Sequence, residues 1–522
     1  MLRVVIVLTV CSLSLAILYY YLVQTPAKST MNGNETFTTP SNKPVVMIIV
    51  DSLMDTPLQK VIKDNNAPAL QFLLNNGTYH PEVVSSYPTM SVSIDSTLLT
   101  GTYPDQHKVP ALVWYDEDEK RLISYGSASK EIMKLGPKQV LTDSLFHLNE
   151  KHLSQDVKTL HEELGTQTAS INTLVFRGNQ KKQLNIPRIL QFLKFAEQNA
   201  EVQAPAYFSY GLLSRYNPRN NNTHLWQGFG FNDKFAAEEL TYLIQENRLP
   251  AFSIVYFSDN DKEVHKSGEN VTKGIVEADK KLQEVLDAFG SWEEAINNIT
   301  WIVMGDSGQT YIKNNKKEAL VDLRTLLKDY RIHKINEPIQ KQDQIVLGLN
   351  ERMSFVYLLD DEMQQEEIAT LLKSDSRIDV IAWKEGNWVK VISGDKSGSL
   401  SFKPGGQIVD PYGQAWTLEG DEKILDIYIK DNQITYQDYP DGLARLYSSF
   451  FSHSGKYLVI NAMPGYEFIG EGSPRHVGGA SHGSLHKDDT HFPMIVAGTD
   501  VSPKHDRVID FKEWILQLVN QK

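Results

Sequence analysis

Cysteine is almost missing from this sequence: Cys11 is the single one in 522 residues. No disulfide can form within the chain and no thiolate cluster can hold a metal, so any metal must rest on oxygen and nitrogen ligands. Surplus positive charge is missing too. The 52 Lys and Arg are outnumbered by 65 Asp and Glu, for a net charge of -13. Without a basic face to track a phosphate backbone, nucleic acid is not expected as a partner. The acidic balance favours solubility and suits a chain that holds cations. Internal repeats are absent. Long apolar runs are scarce, and residues 4–23, free of charge between Arg3 and Lys28, form the one stretch as long as a bilayer core.

What is present begins with that run. Arg3 ahead of it predicts a cytoplasmic N-terminus. Residues 1–24 are therefore read as a transmembrane anchor. Residues 25–43, rich in Ser, Thr, Asn and Pro, are read as a flexible tether. A cleaved signal peptide is the rival, disfavoured by a very short basic region and the lack of an Ala-x-Ala site. This reading places a single-pass protein in the cell membrane with its body on the extracytoplasmic side.

Beyond the tether, strand and helix signals alternate. Residues 45–50 and 251–257 are continuous apolar runs, as expected of strands covered on both faces, and 298–304 is a third. Helical patterns fill 186–198, 232–246 and about 270–289. The alternation predicts an α/β fold with a mostly parallel central sheet and helices on both faces. Residues 345–438 change character and read as a small α+β insert with no metal or nucleophile signature, covering one side of a cleft. The core pattern resumes at 439 and includes a strand over 457–461. The expected organisation is a catalytic domain over 44–344 and 439–522, interrupted by the insert.

In such sheets ligands gather at the carboxyl ends of strands. Asp51, Asp261 and Asp306 all stand at or just past such ends. Carboxylates placed together repel one another unless a cation joins them. His265 lies four residues after Asp261, in Asp261-Lys262-Glu263-Val264-His265, and a carboxylate with an imidazole is a common way to hold a divalent metal. Read alone, that stretch is equally a solvated acidic loop. Ser91 follows Tyr87-Pro88-Thr89-Met90 where a helix can begin, with Gly101 closing it. A hydroxyl there faces unpaired N–H groups and suits an anionic substrate or a nucleophile, although a plain N-cap is the simpler role. His482 lies in the glycine- and histidine-rich loop Gly478-Gly479-Ala480-Ser481-His482-Gly483-Ser484.

Five blocks in this order resemble the alkaline phosphatase superfamily, and within it the type I phosphodiesterase/nucleotide pyrophosphatase family. They are Val50-Asp51; Tyr87-Pro88-Thr89-Met90-Ser91 with Thr100-Gly101-Thr102-Tyr103-Pro104-Asp105-Gln106-His107; Asp261 through Gly268; Gly305-Asp306-Ser307-Gly308; and His482-Gly483-Ser484. The resemblance implies an alkaline-phosphatase-like fold and two divalent metals, zinc by preference. One would be held by Asp261, His265 and His482. The other would be held by Asp51, Asp306 and Ser91, with Ser91 also the nucleophile that forms a phospho-enzyme. Ser86 is an alternative nucleophile with worse spacing. The implied activity is hydrolysis of phosphate esters, of the phosphodiesterase type, on a small-molecule or lipid-head-group substrate.

Two departures stand out. The family's fourth block usually carries a histidine where Ser307 stands, so the second site is expected to be weak, to take a harder ion such as manganese, or to recruit another group. An asparagine three residues after the nucleophile is replaced by Ile94, which puts nucleotide substrates in doubt. Rival readings are a phosphomonoesterase or head-group phosphotransferase on the same fold, and a non-catalytic surface protein with a degenerate second site. A sulfatase is disfavoured, because Ser86-Tyr87-Pro88-Thr89-Met90 lacks the arginine of the formylglycine motif.

Overall fold

The computed structural model describes residues 42–188, 191 and 199–520. Most of the helix expected over 186–198 lies outside them. The strands of the two large sheets, in chain order, are β1 (Val45–Val50), β2 (Gly77–Val84), β3 (Thr168–Ile171), β4 (Tyr207–Ser209), β5 (Phe252–Phe257), β6 (Thr300–Met304), β7 (Ile345–Asn350), β8 (Met353–Leu358), β9 (Ile378–Glu385), β10 (Trp388–Ile392), β11 (Leu400–Val409), β12 (Ala415–Gly420), β13 (Ile427–Lys430), β14 (Gln433–Tyr436), β15 (Tyr457–Ala462) and β16 (His491–Ala497). Four helices bear on the site: α1 (Ser91–Thr100), α2 (Asp233–Gln245), α3 (Asp259–Ser267) and α4 (Lys273–Leu286).

Among the described residues the central sheet has seven strands in the order β2-β16-β6-β1-β5-β3-β4. β1 lies parallel to both β5 and β6, and β3 is parallel to β4 and β5. β16 runs antiparallel to β6 and β2. The apolar run of β1 has the burial that its composition demands, since a parallel strand at the middle of a sheet is covered from both sides. Val45, Met47 and Ile49 enter one core while Val46, Ile48 and Val50 enter the other. The register matters for function. Ile49 stands beside both Tyr256 and Met304, and Val50 beside Phe257. Asp51, the start of α3 and Asp306 therefore leave the sheet side by side at its carboxyl edge.

The second sheet is ordered β7-β8-β15-β9-β10-β11-β14-β13, with β12 paired to β11. Its strand β15 was expected in the central sheet. It lies instead between β8 and β9, antiparallel to both. A buried apolar strand carries no mark of which sheet it will join, so only the pairing decided this.

The membrane expectations need correcting. Among the described residues no helix is long and apolar enough to cross a membrane. The anchor expected over residues 1–24 lies outside the described residues, as does nearly all of the tether. The last two tether residues are fixed rather than loose. Asn42 donates to Val519 O at 2.9 Å, and Lys43 Nζ donates to Ile296 O and Gly498 O, each at 2.6 Å. What stands is the α/β fold with a mostly parallel central sheet. The transmembrane helix, the membrane tethering, the membrane as partner through the N-terminal segment, and the single-pass membrane localisation are withdrawn.

Candidate metal centre

The stretch after β5 is a helix rather than a loop. In α3, Asp261 and His265 are four residues apart and so project from one face. His265 Nε2 lies 3.3 Å from Asp261 Oδ1. His265 Nδ1 is 2.8 Å from Ala480 O, and His482 Nδ1 bonds Thr89 O. With Nδ1 of each ring donated to a main-chain carbonyl, Nε2 is left as the ligating nitrogen, the usual arrangement of metal-binding histidines. Asp261, His265 and His482 can each offer an atom within 4.8 Å of the others. Two imidazole nitrogens and a carboxylate fit a zinc-type ion.

Beside this group lie the two strand-end carboxylates. Asp306 is 1% exposed. Its Oδ1 accepts from the main-chain N–H of Ser52 at 2.9 Å and of Ser307 at 2.8 Å. Its Oδ2 accepts from Tyr256 Oη at 2.9 Å and from Ser91 Oγ at 3.4 Å. Burial pushes the Asp51 carboxyl well up, and the nearby Asp306 and Asp261 push it further. Burial also raises Asp306, against the stabilising bonds from Ser52 N–H and Tyr256. Two buried carboxylates that resist ionising together are a place for a cation.

Ser91 is the first residue of α1. The cap position belongs to Met90, whose side chain caps nothing, so the simple N-cap role does not describe Ser91. Its hydroxyl is directed at Asp306. Gly101 closes the helix at φ 65°. Ser86 is buried, with its hydroxyl bonded to Thr97 Oγ1 at 2.7 Å. His107 is likewise buried, bonded to Thr97 Oγ1 at 3.1 Å and accepting from Val109 N at 3.1 Å, which shapes its loop. Asp259 exchanges caps with Asp233: each main-chain N–H donates to the other's carboxylate at 3.0 Å, tying α3 to α2.

Ser307, in place of the expected histidine, is 1% exposed and its Oγ has no hydrogen-bond partner. Ser307 thus brings a hydroxyl oxygen, not an imidazole nitrogen, next to the Asp306 carboxylate, and oxygen donors suit a harder ion than zinc. His486 and His491 belong to none of the candidate metal groups among the described residues.

Two residues escaped the sequence reading. Glu351, between β7 and β8, and His476 form a further group with His265. His476 stacks on His265 with ring centroids 4.2 Å apart, and its Nδ1 is 3.0 Å from Glu467 Oε2. Burial alone would raise the Glu351 carboxyl, but His476, His265 and His482 hold it down at about 2. Burial would lower His476, yet Glu351 and Glu467 raise it to about 9. His482 is also raised: the carboxylates of Glu351 and Asp261 outweigh its burial. The only local signal for Glu351 was an acidic-basic pair, Glu351-Arg352, breaking two apolar strands. A third group, Asp143, His147 and His152, lies on another segment. Arg121 Nη1 and Nη2 occupy both Asp143 oxygens at 2.7 and 2.9 Å, so a cation there would face a guanidinium.

The sequence profile of a family described as type I phosphodiesterase / nucleotide pyrophosphatase matches residues 45–400. No curated protein sequence matches the chain. Among solved structures, murine ectonucleotide pyrophosphatase / phosphodiesterase 5 is similar with a TM-score of 0.54 at 14% identity, over 92% of this chain and 96% of that one. An inactive form of it in complex with AMP gives the same values. The human counterpart gives a TM-score of 0.55 at 13% identity with the same coverage. At such identity the likeness is one of fold.

Proposed function

The chain belongs to the type I phosphodiesterase/nucleotide pyrophosphatase family and is thereby a phosphoric ester hydrolase, and on that premise we propose a metal-dependent phosphodiesterase whose attacking group is Ser91. The observation that carries the reading is the Ser91 hydroxyl aimed at Asp306 Oδ2 beside the Asp261, His265 and His482 group. Asp261, His265 and His482 would hold the first metal, of zinc type, and Asp51, Asp306 and Ser91 would hold the second, a harder ion. When bound, the two cations favour ionisation of the hydroxyl and offset the charge on the phosphoryl oxygens.

The chain's own residues supply the rest. Asp306 Oδ2 accepts from the Ser91 hydroxyl, and Ser52 N–H and Tyr256 hold Asp306. The N-terminus of α1, which begins at Ser91, would favour the negative charge of a phosphoryl group bound there. Ser91 Oγ bonds to phosphorus as the ester's P–O bond breaks, and the leaving oxygen departs as an alcohol. Water then cleaves the phosphoserine and restores the hydroxyl. The murine relative was solved with AMP, but Ile94 is apolar and fully buried and cannot bind a phosphoryl oxygen. Non-nucleotide diesters are therefore the first substrates to try.

The test is Ser91→Ala assayed on an aryl phosphodiester and an aryl phosphomonoester, with metal content measured alongside. The expected result is a loss of roughly 10³-fold or more with the metal at Asp261, His265 and His482 retained. Turnover like that of the unmodified protein would refute the assignment.

A further inference from the structure

The hairpin of β7 and β8 turns through two residues, with Asn350 paired to Met353. Glu351 is the first of the two and sits at φ 58°. A two-residue turn of this kind normally has glycine there, because a side chain in that conformation is strained. Here a glutamate takes the place, and its side chain is turned inward, 9% exposed. Such strain persists where the surroundings over-determine it, and it gathers at functional sites.

The surroundings are explicit. Arg352, the second turn residue, is completely buried. Its Nη1 pairs with Asp489, and its Nη2 donates to Ala462 O at 3.0 Å. Arg352 N–H donates to His482 O at 3.0 Å, and Phe468 N–H donates to Glu351 O at 2.9 Å. The tip of the second sheet is thus bolted to the loop that carries His482. Glu351 Oε2 accepts from Ser481 Oγ at 2.7 Å and from His482 N–H at 3.4 Å. It lies 4.0 Å from His482 Nε2, the nitrogen that faces the metal position. Glu351, His265 and His476 offer ligand atoms within 4.8 Å of one another, a group that shares His265 with the Asp261–His265–His482 group. Both hydrogen bonds to the carboxylate fall on Oε2, and His476 Nδ1 also lies 3.8 Å from that oxygen.

We propose that Glu351 is a fourth protein ligand of the Asp261–His265–His482 metal, delivered to the catalytic sheet by the hairpin tip of the second sheet. This rests on the metal-centre reading above. It goes further in adding a second anionic donor to the first site and in making the second sheet part of the centre. The residue that occupies the strained turn is then explained: glycine would relax the turn and supply no carboxylate.

The experiment loads the protein stripped by chelator with Zn2+ or Co2+ and compares the unmodified chain, Glu351→Gln, Glu351→Ala and His482→Ala. Zinc affinity is read by competition with a chromogenic chelator. The visible absorption of bound cobalt reports its coordination number. Melting in chelator confirms that each variant folds. The expected result is a zinc affinity weakened by roughly 10–100-fold in both Glu351 variants, with an altered cobalt spectrum. Weakened affinity with an unchanged spectrum would make Glu351 a positioning residue and overturn the proposal. So would an unchanged affinity. If His482→Ala also left zinc binding untouched, the metal-centre reading itself would fail, a result distinct from failure at Glu351 alone.

Discussion

Asp95 offers the sharpest quantitative test of the electrostatics under the site. It lies one turn along α1 from Ser91 and is fully buried. Its Oδ2 accepts from Leu174 N–H at 3.0 Å, and its Oδ1 has no partner. Burial raises its pKa to about 7; the nearby Asp306 adds to the rise, while the N–H groups of Leu174 and Val175 oppose it. The sign follows from proton counting. Between the unfolded value near 4 and the folded value of about 7, the folded protein binds more protons than the unfolded one. Stability therefore falls as pH rises through that window. About 3 units at ~1.4 kcal/mol each give a cost of about 4 kcal/mol at pH 8. Asp95→Asn removes that cost and keeps an acceptor for Leu174, but leaves an amide without an acceptor, which costs about 1–3 kcal/mol. The net expectation for chelator-treated protein is a gain of about 1–3 kcal/mol at pH 8, shrinking to about nothing near pH 5. Urea denaturation at pH 5, 6, 7 and 8 reads the difference. Bound metal screens the Asp306 charge and should reduce the gain. A difference between variant and parent that stays flat from pH 5 to 8 would refute the reasoning.

Metal removal should show the same sign at the centre itself. Asp51 and Asp306 both have raised pKa values, so stripping the metals should lower the melting temperature more at pH 8 than at pH 5, where protonation relieves the repulsion. An equal drop at both pH values would count against a cation between them. Arg352→Met strands Asp489, since both side chains are completely buried. Loss of one partner of such a pair is expected to cost about 3–5 kcal/mol, and removal of both should recover part of it. Chemical denaturation of Arg352→Met and of the double variant Arg352→Met/Asp489→Asn would show whether that holds.

The sequence determined the parts that local pattern controls. The apolar runs of β1, β5 and β6 are strands because parallel strands covered on both faces must be apolar throughout, and the acids that end such runs must surface at the carboxyl edge. Asp51, Asp261 and Asp306 could be picked out for that reason. The start of α1 at Ser91 and its stop at Gly101 were equally local. Tertiary structure decided the rest. The helical form of α3 was hidden by its acidic composition. The membership of β15 in the second sheet followed from pairing with strands far away in sequence. The charged Glu351-Arg352 pair between two apolar strands was too weak a signal to single out Glu351, because a hairpin tip reads as surface until the sheet beneath it is bolted to another. The next residue, Arg352, pairs with Asp489, 137 residues away along the chain. Local periodicity fixes which way a side chain leaves its own strand; only long-range packing fixes what it then meets.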